Sequence, residues 1–229
     1  MAERGKKYRK SLELLGGRTV CPLREGIALL KKVAHARFDE SVNIDVNLGI
    51  DPSKGDQVVR GGVVLPHGTG KKVRVLVFAK GEHADKAQAA GADYVGADDL
   101  VKKIDEGWFD FDYAVATPDL MGLVGKVAKT LGPLGLLPNK KLGTVTFDVA
   151  SVVSELKKGL VFFKNDKQGL VHFLCGKVSF SEQNLHENVS AFLKALAASK
   201  PAASKGVFIR KIVISPTMGP GIPVQADVL

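Results

Sequence analysis

The apolar residues of this chain change rhythm twice along its length. From Glu25 to Ala36, Ile27, Leu30, Val33 and Ala34 recur at helical spacing, and Pro22 sits where a first helical turn tolerates proline. From Ser41 to Ile50, Val42, Ile44, Val46, Leu48 and Ile50 alternate with polar residues, which predicts a half-buried strand of the antiparallel kind. A turn at Asp51–Gly55 leads to a second apolar run, Val58–Leu65. After Pro66-His67-Gly68 the alternation disappears. Val73–Ala79 is continuously apolar, as burial on both faces of a strand requires. Helices expected at Asp85–Ala90 and Asp98–Glu106 then alternate with strands at Ala92–Val95 and Tyr113–Thr117. A helix from Asp119 to about Leu131, a Gly/Pro-rich loop Gly132–Gly143, a strand Thr144–Phe147 and a helix Ala150–Lys158 complete the stretch. Such a succession predicts a small parallel sheet with right-handed crossovers.

From Leu160 the succession ends. Leu160–Phe163 and Leu170–Cys175, around a turn at Asn165–Gly169, predict a hairpin. Ser181 can cap a helix to about Ala198 whose inner face carries Leu185, Val189, Phe192 and Leu196. Lys200–Gly206 reads as a linker, Val207–Ser215 as a last strand, and the tail Pro216–Leu229 shows little periodicity. The first block has too few strands to be stable alone. Residues 1–67 and 160–229 are therefore expected to form one α+β domain, with residues 68–159 inserted as an α/β domain.

Composition adds a partner class to this outline. The 229 residues are 45% apolar and 25% charged, which permits a true core. Lys and Arg number 33 against 24 Asp and Glu, a net charge of +9 that favours a polyanion. The charge is uneven: the middle holds 13 basic and 12 acidic residues, the outer parts 20 and 12. An RNA partner would then dock mainly on the outer domain. No apolar run approaches the roughly 20 residues of a membrane-spanning helix. The N-terminus, with Glu3 and Glu13 and no apolar core, does not read as a leader, so the chain is expected in the cytoplasm. Cys21 and Cys175 stand alone and the five histidines are scattered, so neither a metal nor a cofactor is expected.

Candidate chemistry is sparse, and no catalytic constellation is visible. His67-Gly68-Thr69-Gly70-Lys71-Lys72 lacks the first glycine and the Ser or Thr of a phosphate-binding loop. Its glycines suit a hinge between domains, with Gly68 and Gly70 on one connection and Gly159 on the other. Thr117-Pro118-Asp119 reads as a helix start. The loop Gly132–Lys141 is either a solvated connection or a functional one; Lys126, Lys129, Lys140 and Lys141 give it a basic rim. Arg37-Phe38 offers a cation and an aromatic, tools of RNA recognition, although Phe38 could equally be buried. Thr217-Met218-Gly219 offers a hydroxyl, a soft apolar pad and close backbone approach, or a plain turn.

Several of these motifs together resemble a known family. They are Arg37-Phe38-Asp39-Glu40-Ser41-Val42, Asp56-Gln57 with Arg60-Gly61, and Leu65-Pro66-His67-Gly68-Thr69-Gly70-Lys71. Gly91-Ala92-Asp93-Tyr94-Val95-Gly96, Ala116-Thr117-Pro118-Asp119, Leu131 to Thr144, Asn165-Asp166-Lys167 and Thr217-Met218-Gly219 follow in order. Over essentially the whole chain they are similar to the bacterial large-subunit ribosomal stalk proteins, the L-one family. The resemblance implies a discontinuous first domain that binds a stem and internal loop of large-subunit rRNA, and a Rossmann-like insertion. It implies that the insertion is a mobile arm reaching deacylated tRNA in the exit site and helping to release it. Repression of the chain's own operon mRNA through a similar RNA fold is also implied, as is a monomer within the ribosome. By position, rRNA contacts carry over to Phe38, Ser41, Lys167, Thr217, Met218 and Gly219, with Arg37 beside them. Three positions depart from the family pattern: Leu134 where a basic residue is usual, Lys140 where proline is common, and Ser41 where threonine is common. The first bears on RNA contacts of the insertion, the second implies a looser loop, and the third keeps the hydroxyl.

Overall fold

The computed structural model describes residues 5–17 and 20–225; the first four residues of the basic N-terminal stretch and the last four of the tail lie outside them. In chain order, α1 (Lys6–Leu15) precedes the two-residue β1 (Cys21–Pro22), α2 (Leu23–Val33), β2 (Ser41–Leu48) and β3 (Arg60–Val64). Next come β4 (Val75–Phe78), α3 (Glu82–Ala89), β5 (Tyr94–Gly96), α4 (Asp98–Asp105) and β6 (Tyr113–Ala116). Two short helices, α5 (Met121–Val124) and α6 (Ala128–Leu134), lead to α7 (Val149–Lys158) and β7 (Leu160–Lys164). Then follow β8 (Leu170–Lys177), α8 (Glu182–Ala198), β9 (Ile209–Pro216) and β10 (Ile222–Gln225). The chain divides into two compact units. One is built from both ends, up to Gly70 and from Val161 onward; the other is Lys71–Leu160.

The fold is of the mixed α/β class expected. In the first unit five strands lie in the order β1-β10-β9-β2-β8, and β2 pairs antiparallel with both neighbours. The alternation of β2 thus has a simple cause. Val42, Ile44, Val46 and Leu48 enter a core shared with Leu23, Ile27, Leu30 and Val33 of α2 and Leu185, Val189, Phe192 and Leu196 of α8. A second, two-stranded sheet, β3-β7, joins this core through three rings. Phe173 stacks on Phe192 at 4.1 Å between centroids, and Phe163 meets both edge-on, at 6.4 and 5.6 Å. In the second unit β5-β4-β6 form a parallel sheet. All four residues of the central β4 are buried, which accounts for its unbroken apolar run.

Departures from the sequence expectation have identifiable causes. Pro22 precedes α2 as its N-cap and belongs to β1; at the other end Ala34 turns extended, so the helix stops at Val33. α1 forms where no helix was expected. The single helix foreseen from Asp119 breaks into 3₁₀ turns (Pro118–Leu120 and Gly125–Val127) alternating with α5 and α6, with Gly122 and Gly125 inside the broken region. The strand foreseen at Thr144–Phe147 shrinks to one bridge between Val145 and Ala116. Thr144 is occupied instead in closing its own loop, where its Oγ1 accepts the Asn139 N–H at 2.7 Å. That loop, foreseen as looser around Lys140, is also fastened by the Asn139 side chain, which accepts the Lys141 N–H at 2.8 Å. β7 and β8 do not form a hairpin ladder: β7 pairs with β3 and β8 with β2. Asn165 diverts the chain, since its N–H donates to Val59 O at 3.0 Å and its Oδ1 accepts the Val59 N–H at 2.8 Å. The tail contains a strand after all: β10 pairs with β9 and β1, and only Ile222 and Val224 mark it.

The three-ring contact is the joint between the two sheets of the first unit, so Phe192→Ala should cost about 3–5 kcal/mol. Equilibrium denaturation of the full chain measures it, and a loss below about 1 kcal/mol would show that the site collapses without the ring.

Candidate nucleic-acid interface

Because even-numbered residues of β2 point into the core, Ser41, Asn43, Asp45 and Asn47 point away from it, and all four are half-exposed. The register sets Asn43 between Ser215 and Leu174, Asp45 between Val213 and His172, and Asn47 between Lys211 and Leu170. Ser41 faces Lys177. The result is an uncovered sheet face rich in amide, hydroxyl and carboxylate groups. Across the ladder, His172 Nδ1 lies within hydrogen-bond distance of Asp45 Oδ1, at 2.6 Å.

One end of this face gathers six of the seven residues singled out for rRNA. Ser41 starts β2, and Thr217, Met218 and Gly219 follow β9 directly beside it, with Arg37 and Phe38 on the turn leading in. Thr217 Oγ1 accepts the Ser41 N–H at 2.9 Å and lies 3.4 Å from Ser41 O. Its hydroxyl is therefore already engaged inside the protein and offers an incoming ribose chiefly a lone pair. Phe38 is 56% exposed and Met218 54% exposed, so the buried alternative for Phe38 is excluded. Gly219 is required by packing, because a Cβ there would meet Pro216 Cγ at 2.5 Å. Lys177 adds a cation, donating from Nζ to Ser41 Oγ at 2.9 Å.

These loops are held by a residue to which sequence reasoning gave no role. Glu40 is 2% exposed, and its Oε1 accepts the His35 N–H at 3.0 Å and the Ala36 N–H at 2.7 Å. Its Oε2 accepts the Met218 N–H at 2.9 Å. One carboxylate thus fixes both the turn that presents Arg37 and Phe38 and the turn that presents Met218. The signal was present: Glu40 lies in phase with Val42, Ile44, Val46 and Leu48, so the alternation carried back two residues points it inward. Lys177 had no comparable signal, because a bulge at Val42/Asn43 shifts the register that brings it to Ser41.

Lys167 does not join the cluster. It is exposed in the turn before β8, and β8 runs antiparallel to β2 from Leu170 opposite Asn47 to Lys177 opposite Ser41. Six strand residues, roughly 20 Å, separate the two ends. Asp166 beside it is tied down by the Leu170 and Gln168 amides, each 2.8 Å from Oδ1. The Leu170 N–H above all, opposed by burial and joined by the Gln168 N–H and His172, holds the Asp166 carboxyl below the usual carboxylate range.

In the second unit Lys126, Lys129, Lys140 and Lys141 are all exposed, as is Leu134. Lys126 is close enough to Asp98, at the start of α4, to help Lys80 lower its carboxyl. The hinge candidates Gly68, Gly70 and Gly159 have φ of 63°, 74° and 112°. The fully buried Asn188 accepts the His67 N–H at 3.1 Å and donates to Gly68 O at 3.0 Å, which fastens that connection to α8 as far as Gly68. Cys21 and Cys175 are buried and unbridged, and burial pushes the Cys175 thiol up.

The model of the ribosomal protein L1p/L10e family matches residues 30–220. The chain belongs to that family. Membership makes it a structural constituent of the large ribosomal subunit that binds rRNA, in a family that is structural and not enzymatic. Among the described residues no helix is long and apolar enough to cross a membrane.

Replacing Glu40 by Gln leaves one acceptor oxygen and sets an NH₂ against backbone donors. Glu40→Gln should lower stability by about 1–3 kcal/mol and weaken rRNA binding. Chemical denaturation with filter binding checks both, and unchanged values in both would remove Glu40 from its role.

Proposed function

We propose that this chain is the stalk protein of a bacterial large subunit. The observation that carries the reading is the pairing of exposed Phe38 and Met218 with the hydroxyls of Ser41 and Thr217 at one end of an uncovered polar sheet face. RNA loops are read by stacking unpaired bases on aromatic side chains and by contacts to the 2′-hydroxyl. A stem with an internal loop fits, its loop against Phe38, Met218 and the Thr217–Gly219 turn, its backbone along the face toward Lys167. Residues 1–67 and 160–229 make the rRNA-binding domain, and residues 68–159 form a mobile arm on the glycine-bearing connections. Lys126, Lys129, Lys140 and Lys141 meet the backbone of deacylated tRNA in the exit site and help its release. The same first-domain face binds a similar fold in the chain's own operon mRNA and represses its translation. The protein acts in the cytoplasm as one copy per ribosome.

Phe38→Ala tests the rRNA site. Loss of one stacked base is worth roughly 1–3 kcal/mol, so affinity should fall by very roughly 5- to 150-fold. Stability should move by no more than about 0.5 kcal/mol, since the ring is already exposed. Filter binding across a salt series should show the same salt slope as the parent, whereas Lys167→Ala should flatten it by about one unit. Parent-like affinity in Phe38→Ala sinks the assignment.

The arm is tested on ribosomes carrying Lys126→Gln, Lys129→Gln, Lys140→Gln and Lys141→Gln together. Release of deacylated tRNA from the exit site should slow while rRNA affinity stays unchanged. Parent-like release would show that these lysines do not face tRNA.

A further inference from the structure

We propose that α1 is a second, purely electrostatic RNA grip, a clamp on the phosphodiester backbone flanking the loop that the Phe38 end of the sheet receives. The inference rests on that rRNA-binding reading and extends it to a helix outside the residues 30–220 matched by the family. α1 is held where such a clamp would be needed. Ser11, buried in its middle, donates from Oγ to Val33 O at 3.1 Å, and the same oxygen lies 3.2 Å from His35 Nδ1. Val33 and His35 open the turn that carries Arg37 and Phe38. The same Val33 carbonyl lies 3.7 Å from where a Cβ on Gly219 would stand. One backbone oxygen thus joins α1 to both turns of the candidate site.

The charge on α1 faces outward. Tyr8, Ser11 and Leu15 form its seated side, with Ser11 and Leu15 buried. At about 100° per residue, Lys6, Lys7 and Lys10 fall within one sector of roughly 100° that flanks the seated side and also holds Leu14. All three are exposed, and Glu13 is the only acid between Lys6 and Leu15. Lysines presented together, on a helix fixed beside a nucleic-acid site, release counterions when phosphates replace them. A membrane surface is a poorer fit. The exposed apolar residues Leu12 and Leu14 lie roughly 160° apart around the helix, so they form no single apolar stripe to insert.

The test uses the full chain and a large-subunit rRNA stem with its internal loop, titrated at several salt concentrations. With Lys6→Gln, Lys7→Gln and Lys10→Gln combined, the slope of log affinity against log salt should flatten by about two units. Affinity at 0.1 M salt should fall roughly 10- to 100-fold. The charge-keeping set Lys6→Arg, Lys7→Arg and Lys10→Arg should keep the parent slope, and melting temperature should be unchanged in both sets. An unchanged slope in the Gln set, with Phe38→Ala still weakening binding, overturns the clamp alone. No rRNA binding by the parent chain overturns both the clamp and the reading beneath it.

Discussion

A carboxylate taken out of water must find hydrogen-bond donors, and Glu40 finds them in three backbone amides of two separate segments. This requirement couples the two ends of the first unit's chain. The His35–Ala36 amides belong to the stretch after α2, and the Met218 amide to the stretch after β9. Neither segment is regular structure, and neither would hold one shape without a partner for its N–H groups. With Glu40 between them, the exposed Phe38 and Met218 stand on turns whose backbones are tied to a common point. Val178 N–H donates to the Glu40 carbonyl at 2.9 Å, so the entry to β2 is tied to the end of β8 as well.

What could be read from the sequence follows from how local its causes are. β2 and α8 announced themselves because one face of each is buried against a single core, and a single period records that. β4 could be read because a central parallel strand has no polar face at all. The strands that were missed or misplaced depend on distant partners. β10 is four residues long and exists because β9 and β1 flank it. The separation of β7 from β8 is decided by Asn165 and Val59, 106 positions apart. No window of local sequence contains that information.

The candidate site divides along the same line. Phe38 and Thr217–Gly219 were candidates on side-chain chemistry, the resemblance gave them and Ser41 an rRNA role, and their convergence is explained by the β2–β9 pairing, which sets Val42 opposite Pro216. Lys167 came from the same resemblance but stands at the far end of the ladder, so a single pocket cannot include it. An elongated ligand can touch both ends, and a stem with an internal loop is elongated. The architecture therefore favours a footprint that runs along the strands over one concentrated at a point.

That footprint separates two kinds of interaction that respond differently to conditions. In the proposed complex, stacking on Phe38 and hydroxyl contacts at Ser41 and Thr217 would involve no net charge, so salt would leave them largely intact. Contacts from Lys167, Lys177 and α1, as proposed, would displace counterions and weaken steeply as salt rises. The neutral candidates sit where Glu40 fixes the backbone, with Lys177 beside Ser41, and the other cations sit on long side chains at the margins. The placement follows from what each contact needs: stacking and hydrogen bonds fail with displacements of an ångström, while attraction to phosphate tolerates several. A rigid centre with a yielding cationic margin can accept one RNA loop closely and still adapt to backbones of different course. In the proposed complex, discrimination among RNAs would fall to the few neutral side chains at the centre, and most of the attraction to the cations around them.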